Sequence, residues 1–221
     1  MGIEITLTSF LLPVLIAYAL GALPVAYTIG RINGINVFEV GSHQAGATNI
    51  WREVSRKQGV IVTAVDAMKG LTAILLARHM GLEGAELLIP AGAAIAGHWN
   101  SPFTKFKGGD GVVTLMGVAI GIVPLAVIAP LSLGLLIAVT LNSKLSHPSL
   151  WGGIFGYLLF ITLSFQSSSG IDPVVVYGLT GIGLSIMLHS MYFHKRRKEY
   201  FRSPDVLEEE PEPTFGQDQS R

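Results

Sequence analysis

The 221-residue sequence contains no cysteine and little charge. The lack of cysteine excludes a disulfide framework, a thiol nucleophile and a thiolate metal site. Charged residues make up 14% of the chain, against about 25% in an average soluble domain. A soluble domain needs charge to cover its surface, so an ordinary soluble globule is not expected. The formal net charge is zero, which gives no reason to expect a nucleic acid as partner.

Long apolar segments are abundant instead, and half of the residues are hydrophobic. A helix needs about 20 apolar residues to cross a bilayer. The run over residues 111–142 is too long for one span, and we divide it near residue 123, where Pro124 and Pro130 favour a turn. The other segments are 5–29, 59–78, 84–98, 149–166 and 172–193. The sequence therefore predicts an all-α polytopic membrane protein with about seven transmembrane helices. Six or eight remain open, because the 84–98 segment is short.

The basic residues predict how these helices are oriented. With seven spans, the loops 30–58, 99–110 and 143–148 share one side of the membrane with the C-terminus. All Lys and Arg residues except Lys69 and Arg78 then fall on that side. Because cytoplasmic loops are enriched in Lys and Arg, the N-terminus is expected outside and the C-terminus in the cytoplasm.

The predicted domain organisation has two parts. Residues 1–194 form the membrane-embedded domain. Residues 195–221 are highly charged, contain proline and lack apolar periodicity, so they are expected to form a disordered cytoplasmic tail.

The first cytoplasmic loop is rich in small and hydroxyl-bearing residues. Its glycines allow a ligand to approach the backbone closely, its hydroxyl and amide groups can bind phosphate or hydroxyl groups, and its arginine can fork onto a phosphate. A re-entrant turn packed between helices is the alternative interpretation. The candidate residues are Gly41, Ser42, Thr48, Asn49 and Arg52.

The second loop, residues 97–111, leads directly into an apolar helix. Glycines at a helix start present backbone N–H groups to an anion, and nearby lysines add positive charge. A flexible interfacial turn with lysines snorkelling from the bilayer remains the alternative. The candidate phosphate-binding residues are Lys105, Lys107, Gly108, Gly109 and Gly111.

Asp66 and Lys69 lie three positions apart in the second apolar segment, so they share one helix face. Ionisable groups at membrane depth are costly and usually paired. We predict a structural ion pair; with Gly70, the two residues could also form the floor of the site.

Three sequence blocks carry a family resemblance. They are Gly-Ser-x-x-x-Gly-Ala-Thr-Asn from Gly41 with Arg52 three beyond the Asn, Asp-x-x-Lys-Gly from Asp66, and the stretch from Gly97 to Thr114 with its Phe-Lys-Gly-Gly-x-Gly core. In this order they resemble the acyl-phosphate-dependent glycerol-3-phosphate acyltransferases of the PlsY type, over about residues 5–194.

The resemblance implies a seven-span enzyme of the bacterial inner membrane. Such an enzyme transfers a fatty acyl group from acyl-phosphate to glycerol 3-phosphate and makes lysophosphatidic acid for phospholipid biosynthesis. It needs no cofactor and no metal, and its partners are the two substrates and membrane lipids; the oligomeric state stays open. By resemblance, Ser42 and Arg52 are the essential residues of the first block, and Lys107, Gly108, Gly109 and Gly111 form the phosphate loop. Ser146 and Ser149 match a further serine-bearing stretch.

Within that reaction, a base could assist the glycerol hydroxyl, and His98 and His189 are the candidates. For His98, a helix-end histidine bonded to a neighbouring backbone carbonyl is the alternative.

The sequence also departs from the family pattern. Asp110 stands where the family has a lysine, His43 and Gln44 replace Gly-Asn, and the family's C-terminal His-Arg-x-Asn block is not matched. Altered substrate use and loss of the reaction are both compatible with these changes. The alternative function is therefore a non-catalytic membrane protein that binds lipid or acyl-phosphate, or a small-solute carrier.

Overall fold

The computed structural model describes residues 7–140, 148–166 and 170–200, and within them it contains helices and no strand. The fold is therefore helical there, as predicted. Two single-turn 3₁₀ helices lie at Gly84–Leu87 and Pro102–Thr104. The α-helices are Leu7–Gly21 (α1), Val25–Ile32 (α2), Ala47–Glu53 (α3), Arg56–His79 (α4), Leu88–Trp99 (α5), Val112–Ile122 (α6), Pro124–Thr140 (α7), Pro148–Ser164 (α8) and Pro173–Tyr200 (α9).

Proline marks the starts of α7, α8 and α9. A proline is well tolerated at the first helical position, where a backbone N–H would have no partner within the helix. The Asp172 carboxylate accepts a hydrogen bond from the Val174 N–H at 2.8 Å and caps α9. The predicted division near residue 123 is confirmed as a helix boundary, because α6 ends at Ile122 and α7 begins at Pro124.

The first apolar segment, predicted as one span over residues 5–29, is not one continuous helix, although Ser9–Ile32 is long and apolar enough to cross a membrane. It breaks between Gly21 and Val25. Pro24 has no N–H to donate and disfavours helical geometry at Leu23, so α1 ends and α2 starts afresh. The break leaves the carbonyls of Ala22 and Leu23 available to distant side chains.

The last helix is longer than predicted. α9 continues to Tyr200, so residues 195–200, assigned to a disordered tail, are helical. Lysine and arginine are good helix formers and are favourable near a helix C-terminus. Residues 201–221 lie outside the described part, and the domain division at 194 stays a prediction. The chain separates into two compact units, Met1–Ile186 and Met187–Arg221.

Three stretches of the described chain are long and apolar enough to cross a membrane: Ser9–Ile32, Arg56–His79 and Pro173–Tyr192. α5 and α6 are shorter, at 12 and 11 residues. Such helices extend roughly 16–18 Å, whereas the hydrocarbon core of a bilayer is about 30 Å thick. The number of spans and the orientation of the termini stay predictions.

The hydrophobic core of the first unit is built from small and branched side chains contributed by α1 and by α4 to α9. Many large apolar side chains point outward instead; Leu125 is 87% exposed, and Leu15 and Met68 are also exposed. An apolar outer surface of this extent is typical of a face that meets another apolar phase.

α6 runs parallel to the second half of α4 and begins beside its middle. A Cβ added at Gly117 would lie 2.8 Å from the Ala67 carbonyl carbon, so the two backbones touch there. At the far end, the Arg78 guanidinium donates a hydrogen bond to the Ile122 carbonyl at 2.8 Å. The loop that precedes α6 therefore lies beside the centre of α4, not beside its first turn.

Candidate active site

Asn49 holds the first glycine-rich loop in shape. Its amide nitrogen donates to the carbonyls of Val37 at 2.8 Å and Gln44 at 2.9 Å, with Val40 at 3.2 Å, and its amide oxygen accepts from the Ser42 N–H at 3.0 Å. The side chain is only 2% exposed. The loop is therefore tied to α3, and the backbone of Ser42 is fixed by a buried group.

Both ends of the Asn49 amide are engaged by the loop backbone, so the structure gives Asn49 a loop-holding role, and its predicted substrate-binding role stays a prediction. Thr48 and Arg52 are exposed on α3, and Ser42 is half-buried. Gly41 has a left-handed φ of 57° beside the Asn49 side chain. Ser42 and Arg52 keep their predicted roles as expectations.

The second loop is folded against the end of α5. The Gly109 N–H donates to the His98 carbonyl at 3.4 Å, and the Trp99 indole N–H donates to the Asp110 carbonyl at 2.7 Å. The Thr104 hydroxyl donates to the Lys107 carbonyl. Gly111, with φ of 88°, then leads into α6. The backbone of this loop is held by α5 and by the loop itself.

The two loops meet each other. The Ala45 N–H donates to the Gly108 carbonyl at 3.3 Å. The Lys107 ammonium lies 5.7 Å from the ring centroid of Phe38, a cation–π distance. Lys107 is exposed, as is Lys105, which has a left-handed φ of 55°. The predicted phosphate loop is thus buttressed by the first loop.

Gly109 lies where the backbone passes close to its neighbours. A Cβ at this position would come within 2.6 Å of both the His98 Nε2 atom and the Ala45 carbonyl oxygen. No side chain larger than hydrogen fits without a shift, so glycine is required here by the approach of His98 and the first loop.

His98 is buried at 7% exposure, and its Nδ1 atom lies 3.4 Å from the Thr114 hydroxyl on α6. The Nε2 atom is on the side of Gly109. The ring nitrogen Nδ1 thus meets a side-chain hydroxyl, while the His98 backbone carbonyl accepts from the phosphate loop. The His98 ring therefore lies between Thr114 and Gly109, beside that loop.

Asp66 and Lys69 form an ion pair on α4, with 2.9 Å between Lys69 Nζ and Asp66 Oδ1. Both side chains are 4% exposed. The ammonium also donates to the Leu23 carbonyl at 3.1 Å, in the break between α1 and α2. The neighbouring Ala22 carbonyl accepts from the Ser101 hydroxyl at 2.6 Å. The helix break is therefore tied both to α4 and to the second loop.

These parts line a small open cleft. Its lining combines the α1–α2 break with groups from α4, α5 and the second loop, namely residues 21–26, Ala45, Asp66, Lys69, His98, Ser101, Thr104 and Lys107–Gly109. The structure thus brings together the ion pair, His98 and most of the predicted phosphate loop. Among the described residues, no group of three His, Asp or Glu side chains could hold a metal ion.

Other predicted residues lie elsewhere. Ser42 and Arg52 are not among the lining groups of the cleft. His189 is on α9, within the second unit. Ser146 lies outside the described residues, and Ser149 lies in α8 with an undescribed side chain.

Ser101 and the Leu23 carbonyl were not identified from the sequence. The signal for the carbonyl was present, since Pro24 within an apolar run frees backbone groups. Ser101 is 3% exposed and offered no comparable signal, because its partner Ala22 is 79 positions away.

Comparison with known proteins identifies relatives over most of the chain. The sequence pattern of the family described as glycerol-3-phosphate acyltransferase matches residues 11–201. The glycerol-3-phosphate acyltransferase of Geotalea daltonii is 38% identical over 127 residues, 58% of this chain and 66% of that protein. Glycerol-3-phosphate acyltransferase 1 of Deinococcus radiodurans is 41% identical over 113 residues, 51% of this chain and 57% of that protein. The match thus spans less than two thirds of the length of these relatives. Glycerol-3-phosphate acyltransferase 3 of Dehalococcoides mccartyi is 34% identical over 196 residues, 83% of this chain and 90% of that protein.

Solved structures give the same result. The crystal structure of PlsY (YgiH), an integral membrane glycerol 3-phosphate acyltransferase, in its glycerol 3-phosphate form superposes with a TM-score of 0.70 at 27% identity. The superposition covers 88% of this chain and 94% of that chain. The lysophosphatidic acid form of the same protein gives a TM-score of 0.68. Together with the apolar helices, this likeness makes the protein a helical membrane protein. The chain belongs to the glycerol-3-phosphate acyltransferase family.

Proposed function

We propose that the protein transfers a fatty acyl group from acyl-phosphate to a hydroxyl of glycerol 3-phosphate, producing lysophosphatidic acid and inorganic phosphate. The observation that carries this proposal is the cleft in which Gly108, Gly109 and Lys107 of the phosphate loop lie beside His98. Membership of the family supports the same reaction.

Acyl transfer from acyl-phosphate requires the protein to position the two substrates more than to supply a strong nucleophile. The glycerol hydroxyl oxygen attacks the acyl carbonyl carbon, a new C–O bond forms, and the bond from that carbon to the phosphate oxygen breaks. Phosphate leaves with the bonding electrons, so no covalent acyl-enzyme is needed. The protein must hold two phosphate groups and place the hydroxyl within reach of the carbonyl.

The residues of the cleft suit these tasks. The backbone N–H of Gly108 and the Lys107 ammonium can bind phosphate oxygens. His98 Nε2 can accept the hydroxyl proton as the new bond forms, while Nδ1 lies by Thr114. Ser42 and Arg52 on the adjoining loop remain candidates for a second phosphate contact.

We place the protein in the bacterial inner membrane, with seven spans, the N-terminus outside and the active face in the cytoplasm. The distribution of lysine and arginine supports this orientation. The acyl chain would enter from the bilayer between apolar helices, and membrane lipids would surround the exposed apolar surface. The polar acceptor would enter from the cytoplasm.

The test is release of phosphate from acyl-phosphate by the purified protein, with and without glycerol 3-phosphate. We expect release to depend on the acceptor and lysophosphatidic acid to accumulate in equal amount. His98→Gln should lower kcat about 10²-fold, since general-base catalysis contributes at least that much. The matched control is His79→Gln, because His79 is exposed at the end of α4 and does not line the cleft.

Acyl-phosphate binding without acceptor-dependent turnover would contradict the proposal and favour a non-catalytic binding protein. Equal losses of activity in the two histidine variants would remove His98 from the mechanism.

A further inference from the structure

The Asp66–Lys69 pair lies near the middle of α4, and both residues line the cleft. Lys69 is 13 positions after Arg56, roughly 20 Å along the helix axis. Its side chain is 4% exposed, and it lines the same cleft as His98 and Gly109. The second loop reaches this depth because α6 begins beside the middle of α4.

The contacts of Lys69 leave part of its ammonium available. An ammonium has three N–H donors. Among the described residues, two partners are found, Asp66 Oδ1 at 2.9 Å and the Leu23 carbonyl at 3.1 Å. Neither contact comes from the second loop, on the opposite wall of the cleft. The third donor can therefore serve a group that enters between α4 and that loop.

A purely structural pair is a poor explanation for this arrangement. Buried ion pairs contribute little net stability, and apolar side chains of the same volume often do as well. An ionisable residue within a membrane span is expected to have a function. Here the fold also breaks its first apolar helix at Pro24 and directs the freed Leu23 carbonyl to the ammonium. Both contacts fix the position of Nζ at the inner wall of the cleft.

The charges around the cleft explain what such an ammonium would bind. The second loop carries the exposed Lys107, which would attract a phosphate. It also carries Asp110, whose negative charge would repel one. Lys69 adds a buried cation on the other wall, where a lower local dielectric strengthens its attraction for an anion. Asp66 holds this cation in place and partly neutralises it.

We infer that Lys69 is a phosphate-binding residue of the active site, held in position by Asp66 and the Leu23 carbonyl. This inference rests on the proposed function, since the phosphate would belong to glycerol 3-phosphate or to acyl-phosphate. It assigns the intramembrane pair a direct role in binding substrate.

The test compares variants of the full-length protein in detergent. Lys69→Gln should raise the dissociation constant for glycerol 3-phosphate, or the KM for acyl-phosphate, at least about tenfold, the usual effect of losing a charge-assisted hydrogen bond. Lys69→Arg, which keeps the charge, should recover part of the loss. The matched control is Arg78→Met, on the same helix but bonded to Ile122 and away from the cleft.

The Asp66→Asn variant distinguishes phosphate binding by Lys69 from a purely structural role of the ion pair. If Lys69 binds phosphate, removing the neutralising acid should tighten the binding of inorganic phosphate several-fold in the folded variant. A structural pair predicts lower stability with no gain in phosphate affinity.

The two substrates distinguish the source of the phosphate. A loss for glycerol 3-phosphate alone assigns Lys69 to the acceptor, and a loss in the KM for acyl-phosphate alone assigns it to the donor. A folded Lys69→Gln protein that keeps the parental values for both overturns the inference. A parent that binds glycerol 3-phosphate through Lys69 without transferring acyl groups would contradict the proposed function and leave this inference intact.

Discussion

Gly109 is a residue at which the geometry of the candidate active site is tightly constrained, and Gly109→Ala tests that constraint. The new methyl group would be within 2.6 Å of His98 Nε2 and the Ala45 carbonyl oxygen, so the loop must shift. A displacement near 1 Å can cost about 10²-fold in rate. We expect kcat/KM for glycerol 3-phosphate to fall roughly 10- to 100-fold, measured by phosphate release.

The control for this variant is Gly92→Ala on α5. An added Cβ at Gly92 meets nothing within 4 Å, and alanine is the better helix former. Its activity should equal that of the parent. Parental activity in Gly109→Ala would mean that the loop has room to move without consequence.

Asn49 shows how far the role of a single side chain can be predicted from the sequence. Its neighbours predict a loop whose backbone a ligand can approach closely, and that stays a prediction; the structure shows this loop meeting the second loop at Ala45 and Gly108. An amide beside glycines and hydroxyls looks like a ligand-binding group. The partners that engage it, from Val37 to Gln44, depend on the path of the loop in space. Residue type alone therefore could not distinguish a group that binds substrate from one that holds the loop.

At the scale of elements, the contact between α4 and α6 sets the depth of the phosphate loop. We predict that Gly117→Leu destabilises the protein by about 1–3 kcal/mol, because overpacking forces the two backbones apart. The Cβ alone would lie 2.8 Å from the Ala67 carbonyl carbon. The measurement is the midpoint of thermal unfolding in detergent, together with the KM for glycerol 3-phosphate, which should rise as α6 is displaced.

Gly153→Leu on α8 provides the comparison, since Gly153 is exposed and an added Cβ meets nothing within 4 Å. Its unfolding midpoint should stay close to the parental value. If both leucine variants unfold alike, the close approach of α4 and α6 does not limit stability.

A helix boundary could be predicted where a nearby residue in the sequence, such as a proline, ends the helix. Pro124 separates α6 from α7, and it was identified as a turn before any contact was known. Pro24 carries the same signal, but the length of the apolar run around it favoured one continuous span. Pro24 causes the break, and Lys69 and Ser101, both distant in sequence, supply donors for the carbonyls there.

At the scale of the whole molecule, the absence of cysteine makes the predicted orientation directly measurable. Lys57→Cys and His79→Cys place single thiols at exposed positions near the two ends of α4. A membrane-impermeant maleimide should label position 57 in inverted vesicles and position 79 in right-side-out vesicles. The parent protein gives no background, because it has no thiol.

Labelling of both positions from the same side would show that α4 does not cross the membrane. Labelling from opposite sides in the reverse sense would invert the predicted topology and move the active face outside.

Composition and the length of the apolar runs were sufficient to predict a helical membrane fold, because a bilayer accepts long apolar segments only as helices with satisfied backbone groups. They were insufficient to predict how far along α4 the candidate site lies. α5 and α6 were predicted as spans, yet at 12 and 11 residues they are too short to cross the hydrocarbon unaided. Packing against α4, not hydropathy, places the start of α6 beside the middle of α4.

The helix break at Pro24 also bears on the order in which the protein assembles. The Ala22 carbonyl bonds to Ser101, and the Leu23 carbonyl, which also accepts the Val25 N–H at 3.0 Å, bonds to Lys69; both partners are synthesised later than α1. Until Ser101 is made, the Ala22 carbonyl must keep water or lose several kcal/mol in lipid. A nascent chain that ends before Ser101 therefore cannot complete its first apolar segment. The packing of the break between α1 and α2 therefore depends on the second loop, and we expect the N-terminal segment and that loop to mature together during membrane insertion.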